Sequence, residues 1–514
     1  MKLIALILAM TLTTAHAAEP LTKPGALWNF GNEFSLSHAQ DWQKGCFDGG
    51  LIVTLDAADG AVTLADGAAH GRYFSPIFKM NDPIGFREVY ISWNADTPPG
   101  TGIRFHLRIF CQNSKIWNPW TPLADWSLHH RRTVYRNTEN SAWSFIAAVP
   151  NHDKPGASSR RFQIMAELYS DNDQKPVLWH LHAATRNFYD SNAKDQWGRS
   201  VYPKEYRYAK EFADETEINA FIHKNPNNTI RVSSFDLIPK NSQCLRDPRI
   251  ALHICNPLSA GMLINGALIA SGHSEKARLP EEFARAAFAH GPDIFGHWAF
   301  GAALAAAFGF RSYVTWTTPE GLKRYILDDI PVVVSAAYSS EPLLPRYLPN
   351  ATGDTPGHIL CIVGWRIDDS GNEWLICLDP YAPDDAAVLR EYPLPYFLNA
   401  WDNSLQMAYP IIPRPVPGVG NFYPRRETAH LVCVGNGEFE LWHDGAPLDI
   451  VDDDFNLIPY VFWTTDDREF HYLPANNGKP TLTLPPAAVA REDFRLYAVA
   501  DCATYIVGCV VGLK

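Results

Sequence analysis

Between Asn241 and Ala270 the chain reads NSQCLRDPRIALHICNPLSAGMLINGALIA, so Gln243 stands a short loop ahead of Cys255 and Cys255 opens an apolar, small-residue helix. A thiol at a helix N-terminus feels the positive end of the macrodipole, and the thiolate favoured there is the nucleophile of cysteine chemistry. Such a nucleophile needs a base for its proton and a third group that orients the base. His358 follows Gly357 at the start of the apolar run 358–365 (HILCIVGW), and Asp379 ends the next run, 374–379 (WLICLD), before Pro380. If the two runs pair through the turn Asp368-Asp369-Ser370-Gly371, their ends lie side by side and the carboxylate can hold the imidazole tautomer. Gln243 is then placed to offer its side-chain N–H to a developing oxyanion, with the backbone N–H of Cys255 as second donor.

Each residue also has an ordinary reading: a buried cysteine, a histidine at a strand start, an Asp-Pro turn. Their joint occurrence in this order, at element ends, favours a catalytic site. His253 is a rival base, but on a loop entering the same helix it does not easily face the thiol. His290 and His297 flank a loop and read as shaping the cleft or as surface residues.

The elements that must position these groups follow from periodicity. Residues 255–270 and 296–308 read as helices rich in Ala and Leu, and 318–329 (TPEGLKRYILDD) as a shorter amphipathic helix with Thr318 as N-cap and Pro319 at its first position. Three apolar runs follow, at 331–338 (PVVVSAAY), 358–365 and 374–379. Helices first and strands afterwards describe an α+β domain, expected over 236–413. Residues 339–356 (SSEPLLPRYLPNATGDTP) form a Pro-rich loop leading into His358, either a cap that selects substrates or a long connection.

Ahead of it, 18–235 reads mostly as strands such as 88–92 (EVYIS) and 102–110 (GIRFHLRIF), separated by turns such as 96–100 (DTPPG), which suggests a β-sandwich. Its tryptophans, Trp117, Trp120 and Trp126 among them, fill the sandwich core or rim, or if exposed offer flat faces to a glycan. The polar stretch 187–229 reads as an insertion or linker with one short helix near 215–224. Residues 414–514 return to short runs, at 438–442, 460–463 and 494–499, and are expected to form a small C-terminal β domain.

At 514 residues the chain exceeds what one core serves, and 46% hydrophobic with 19% charged residues marks it as globular. A net charge of −12 without any Lys/Arg-rich run argues against nucleic acid as a partner. The opening MKLIALILAMTLTTAHA has one basic residue, an apolar run and the small-x-small end Ala15-His16-Ala17, so 1–17 reads as a signal peptide, with an uncleaved anchor as the alternative. The expectation is an exported protein, periplasmic or extracellular, with no membrane span in the rest of the chain. Nine cysteines leave at least one unpaired if the others are bridged, and Cys255 is the one suited to stay free. Cys361 and Cys377 flank the expected hairpin and read as small buried hydrophobes or as a pair. No zinc-site spacing occurs, so neither metal nor cofactor is expected.

The central residues resemble cysteine peptidase family 39, the double-glycine leader peptidase-like group of the papain-like clan. The resemblance rests on Ser242-Gln243, Cys255-Asn256-Pro257-Leu258-Ser259, Gly296-His297-Trp298, the strand 330–338, Gly357-His358, Asp379-Pro380 and Ala400-Trp401. It implies a papain-like α+β cysteine peptidase domain with Cys255 as nucleophile, His358 as general base, Asp379 as orienter and Gln243 as oxyanion donor. The segment 92–101 (SWNADTPPGT) is similar to a β-sandwich module found ahead of such exported peptidase domains. Transporter-fused members cut leader peptides after Gly-Gly beside an ATP-driven pump; this chain lacks the phosphate-binding loop and the span, so that substrate does not carry over. The reading is an exported thiol hydrolase cleaving a peptide or amide bond, with a peptide or protein, cell-wall peptide included, as substrate. Two alternatives stay open: an acyltransferase or cell-wall amidase on the same site, and a glycan- or surface-binding protein with an inactive peptidase-like domain.

Overall fold

The computed structural model describes residues 33–508, apart from 56–58, 81–85, 87, 112–114, 129–131, 136–158, 187–214, 345, 403, 405, 422, 436, 449–459, 467–468, 474–480 and 501–502. The expected signal peptide at 1–17 and the larger part of the polar stretch at 187–229 lie outside the described residues; the end of that stretch carries the helix Glu215–Ile222. The architecture is multidomain and mostly β.

Two antiparallel sheets form the N-terminal part. One joins Glu33–Leu36, Val177–Arg186, Ala61–Leu64 and Leu51–Thr54, with Glu88–Asp96 also paired to Val177–Arg186. The other runs Thr133–Val134, Thr121–Trp126, Thr101–Ile109, Arg161–Ser170, His70–Phe74 and Cys46–Gly49. Trp93 stacks on Phe105 across the two sheets at 4.2 Å, and Trp42, Trp126 and Trp179 are fully buried. Trp117 and Trp120 are half-buried, and the guanidinium of Arg108 lies against both rings, at 4.8 and 4.6 Å.

Strand Glu88–Asp96 is buried on both faces, and the two-residue period of a strand explains how SWNAD serves both. Trp93 points between the two sheets, whereas Ser92, Asn94 and Asp96 reach backbone groups beyond the N-terminal part. Ser92 Oγ accepts from Val314 N–H (3.0 Å), Asn94 donates to Ser312 O (2.7 Å) and accepts from Ser312 N–H (3.2 Å), and Asp96 accepts from Gly420 N–H at 3.0 and 3.1 Å. Phe300, from the helix Trp298–Ala307, brings its ring to 5.0 Å from Trp126 and 6.0 Å from Trp93, so one apolar core runs through both parts. Burying such a ring is worth roughly 1.5–3 kcal/mol.

The central sheet is antiparallel throughout, in the order Phe310–Ser312, Met407–Pro415, Val332–Ser339, Asp354–Ile367, Glu373–Leu378, Leu389–Pro393. Thr229–Arg231 pairs with Asp354–Ile367, so the central sheet takes a strand from ahead of residue 236. Met407–Pro415 lies inside the sheet although Pro410 and Pro413 argue against a sheet interior. On this sheet packs the Cys255 helix, Cys255–Ala270, buried from Asn256 to Leu268, with Ser259 Oγ donating to Ile359 O at 3.1 Å and Cys361 Sγ to Ser259 O at 3.2 Å. Pro319–Leu327 forms the amphipathic helix, with Thr318 Oγ1 accepting from Gly321 N–H as expected of its cap. The hairpin of Val332–Ser339 with Asp354–Ile367 continues past His358 to the pair Ser339↔Asp354, so the connecting loop is shorter than the Pro-rich stretch read from sequence.

C-terminal to this, Arg425–Thr428, Ala503–Val507, Arg495–Val499, Tyr460–Thr464 and His471–Tyr472 form a five-stranded sheet, and His430–Gly435, Glu438–His443, Ala446–Pro447 and Thr481–Thr483 a four-stranded one. Among the described residues no helix is long and apolar enough to cross a membrane.

Candidate active site

Cys255 begins its helix, where first-turn N–H groups have no intrahelical acceptor. Its thiol is half-buried beside the fully buried Ile254 and Asn256. Asn256 fixes this helix end: its side-chain amide donates to Phe295 O and His297 O, both at 3.1 Å, and its Oδ1 accepts from the Tyr409 hydroxyl at 2.5 Å. Gly301 makes room for that bond, since a Cβ there would lie 2.8 Å from the Tyr409 oxygen and 3.0 Å from Asn256 Oδ1.

His358 and Asp379 meet as the hairpin predicts. Strands Asp354–Ile367 and Glu373–Leu378 pair with Cys361 opposite Leu378, which brings the strand ends together. His358 Nε2 and Asp379 Oδ1 are 2.8 Å apart, both residues buried. The Cys255 side chain lies close enough to the imidazole to favour its charged form. With Nε2 on the carboxylate, Nδ1 is the nitrogen left for the thiol. Burial opposes the charged imidazolium, but the Asp379 carboxylate and Cys255 outweigh it and hold His358 well above its ordinary value, at about 10. Burial likewise works against the Asp379 carboxylate, and His358 and Tyr392 overcome it, holding its pKa down at about 2.

Asp379 is fully bonded. Its Oδ1 also accepts from Tyr381 N–H at 2.9 Å, and its Oδ2 accepts from the Tyr392 hydroxyl at 2.5 Å. The ring of Tyr338 stands edge-on to the imidazole at 5.9 Å, and Tyr381 lies at 5.8 Å. Sequence reasoning missed Tyr338, Tyr381, Tyr392, Asn256 and Tyr409; position Tyr381, two past Asp379 in an Asp-Pro turn, carried the one usable signal.

Gln243 is buried in a single 3-10 turn, Gln243–Leu245, whose neighbour Ser242 accepts from Cys244 N–H. Its backbone N–H donates to Pro380 O at 2.8 Å, Ser242 Oγ donates to Ala382 O at 2.5 Å, and Ser242 N–H donates to Asp385 Oδ1 at 2.6 Å. The loop after Asp379 therefore carries the Gln243 turn. The side-chain oxygen of Gln243 has no partner among the described residues.

The other histidines separate clearly. His253 is exposed. His290 and His297 are both buried, which corrects the surface alternative; burial pushes the His297 imidazolium down to about 3, and its carbonyl serves Asn256. Cys361 and Cys377 are buried free thiols, offset by one register position, and burial pushes both up.

Residues 232–409 match the Peptidase_C39 like family, and residues 32–186 match the Peptidase C39 N-terminal domain. Among solved structures, the chain is similar to a Bacillus anthracis protein assigned to the C39-like peptidases (16% identity, 36% of this chain and 98% of that one, TM-score 0.24). It is similar also to procathepsin B S9 of Trypanosoma congolense (12% identity, 32% and 69%, TM-score 0.24). A third likeness is to the CBM22-1–GH10 modules of the Clostridium thermocellum xylanase 10B complexed with xylohexaose (12% identity, 31% and 29%, TM-score 0.19). No protein of curated function matches the chain.

Proposed function

We propose, on the premise that residues 232–409 belong to the C39-like peptidases, that the protein is an exported thiol hydrolase that cleaves a peptide or other amide bond through an acyl-enzyme on Cys255. In this reading the central part is a papain-like α+β unit flanked by β domains. The observation that supports it is the bond from His358 to Asp379, on an imidazole whose charged form is favoured by Cys255, the residue that opens a buried helix.

The thiol proton already rests on His358 Nδ1, as the raised imidazole pKa favours, and the Cys255 thiolate adds to the substrate carbonyl to form a tetrahedral oxyanion. The Gln243 amide and the first-turn N–H of Cys255 are the donors for that oxyanion. Collapse expels the amine, protonated by the His358 imidazolium, and leaves a thioester. Water, deprotonated by His358, then releases the acid and restores the thiol. Asp379, fixed by Tyr392 and Tyr381 N–H, keeps the imidazole in one tautomer throughout.

The test is labelling by an iodoacetyl-peptide probe at pH 6. Wild type should be modified at Cys255 alone among the half-buried and buried thiols, Cys255→Ala should not be modified there, and His358→Ala should react far more slowly. Equal rates in wild type and His358→Ala would remove the reading.

A further inference from the structure

We propose that the N-terminal part takes a share in the chemistry, with Arg132 and Thr133 as positioning residues for Cys255 that act through the loop 288–297. The inference rests on the reading of Cys255 as the nucleophile and extends it to residues far upstream in the chain.

The hydrogen bonds form a continuous path. Arg132, fully buried, lies just ahead of the strand Thr133–Val134 and turns its guanidinium to the C-terminal end of the helix Pro280–Ala287. Its Nη2 donates to Arg285 O at 2.5 Å and its Nε to Phe288 O at 3.0 Å, at a helix end where the last carbonyls lack their usual donors. Its Nη1 donates to Leu128 O at 3.2 Å, within the N-terminal part. A guanidinium that has left water is costly unless its N–H groups are bonded, and its donors point in fixed directions, so it fixes the carbonyls around it. His290 N–H donates to Arg132 O at 2.9 Å, and Thr133 Oγ1 donates to His290 O at 2.5 Å. Gly291 permits that approach, with a φ of +92° and a Cβ position 2.8 Å from Thr133 Oγ1.

The far side of the same loop grips both neighbours of Cys255. Ala289 and Ile294 exchange backbone bonds at 2.8 and 3.2 Å, which closes the loop, and Phe295 O and His297 O then receive the Asn256 amide. Phe288 and Phe295, with ring centroids 4.9 Å apart, share a buried cluster with Ile254 and Leu258. Cys255 is thus held through Ile254 by packing and through Asn256 by hydrogen bonds. Tyr90, on the strand Glu88–Asp96, stacks on Trp298 at 5.6 Å and steadies the exit of the loop. A thiolate gains from an imidazolium only at short range, so a displaced helix start returns Cys255 towards an ordinary thiol.

The experiment follows alkylation of Cys255 by iodoacetamide against pH in the full chain, read at that residue by mass spectrometry, with the unfolding temperature recorded for every variant. Thr133→Val removes the hydroxyl at nearly constant volume. It should slow alkylation several-fold at pH 6, move the midpoint of the profile up towards the ordinary thiol value of about 8.5, and match wild type above about pH 9. Thr133→Ser, which keeps the donor, should restore the wild-type profile. Arg132→Lys, which cannot fork to two carbonyls, should repeat the Thr133→Val shift. In the Asn256→Ala background, itself shifted, Thr133→Val should add little. A wild-type profile in Thr133→Val with only a lowered unfolding temperature, full additivity with Asn256→Ala, or an unshifted profile in Asn256→Ala would each overturn the positioning role. The hydrolase reading is judged separately by His358→Ala: loss of reactivity at pH 6 there leaves it intact whatever Thr133→Val does, and an unchanged rate there removes it and this inference together.

Discussion

The Tyr392 hydroxyl donates to Asp379 Oδ2 at 2.5 Å, on the carboxylate oxygen that His358 does not use. Both residues are buried, so this bond completes the solvation of an ion that has left water. Tyr392→Phe should cost about 1–3 kcal/mol, because it strands a buried acceptor. It should also raise the Asp379 pKa, so the acid limb of a Tm-against-pH profile moves to higher pH. An acid limb superimposed on that of wild type would count against the bond.

The His358–Asp379 pair sets opposite pH limits. Asp379 binds its proton less readily folded than unfolded, so its contribution is complete above about pH 4 and is lost as pH falls towards about 2. His358 binds more readily folded, so its contribution is complete below about pH 6.5 and is lost as pH rises through about 10. The stability gap between wild type and His358→Gln should therefore be widest from about pH 4 to 6.5 and narrow towards pH 10. Urea unfolding at several pH values measures it; a gap constant up to pH 10 would refute the assignment.

Asp96 joins the strand Glu88–Asp96 to Gly420, and burial pushes its carboxyl up to about 7 despite the bonds from Gly420 and Asn421. The folded protein thus holds this proton where the unfolded chain has released it. Stability from this group is complete below about pH 4 and is lost as pH rises through about 7. Asp96→Asn should gain on wild type as pH rises from 5 to 8, on the order of 2–4 kcal/mol at the upper end. Calorimetry at pH 5 and pH 8 reads the difference, and a pH-independent offset would sink the prediction.

Gly301 leaves space for the Asn256–Tyr409 bond behind Cys255. Alanine there gains roughly 1 kcal/mol of helix propensity, yet its methyl would push on both polar atoms. Gly301→Ala should slow alkylation of Cys255 while Tm falls only slightly, because the neighbouring amide that fixes the helix start is displaced. Wild-type reactivity in this variant would show that the helix end tolerates the shift.

Much of the geometry around Cys255 was legible as pattern. The small-residue run 255–270 reads as a buried helix, since it carries no charge and apolar residues stand on every face. The two apolar runs around Asp368–Gly371 could only bring His358 and Asp379 together once they paired, because a hairpin ties register to its turn. Those are local properties of the chain. What supports them came from farther along the chain and left no periodic trace: Tyr392 on the carboxylate, Tyr409 on Asn256, Asp385 on Arg246. The strand Met407–Pro415 was hidden by its prolines, and Ser92, Asn94 and Asp96 read as plain alternation although each bonds a distant backbone group. The order of residues determined which elements form and which side chains they carry. Only the tertiary structure decided which buried polar groups meet, because the cost of leaving one unpaired is settled by neighbours that folding, not sequence spacing, brings into contact.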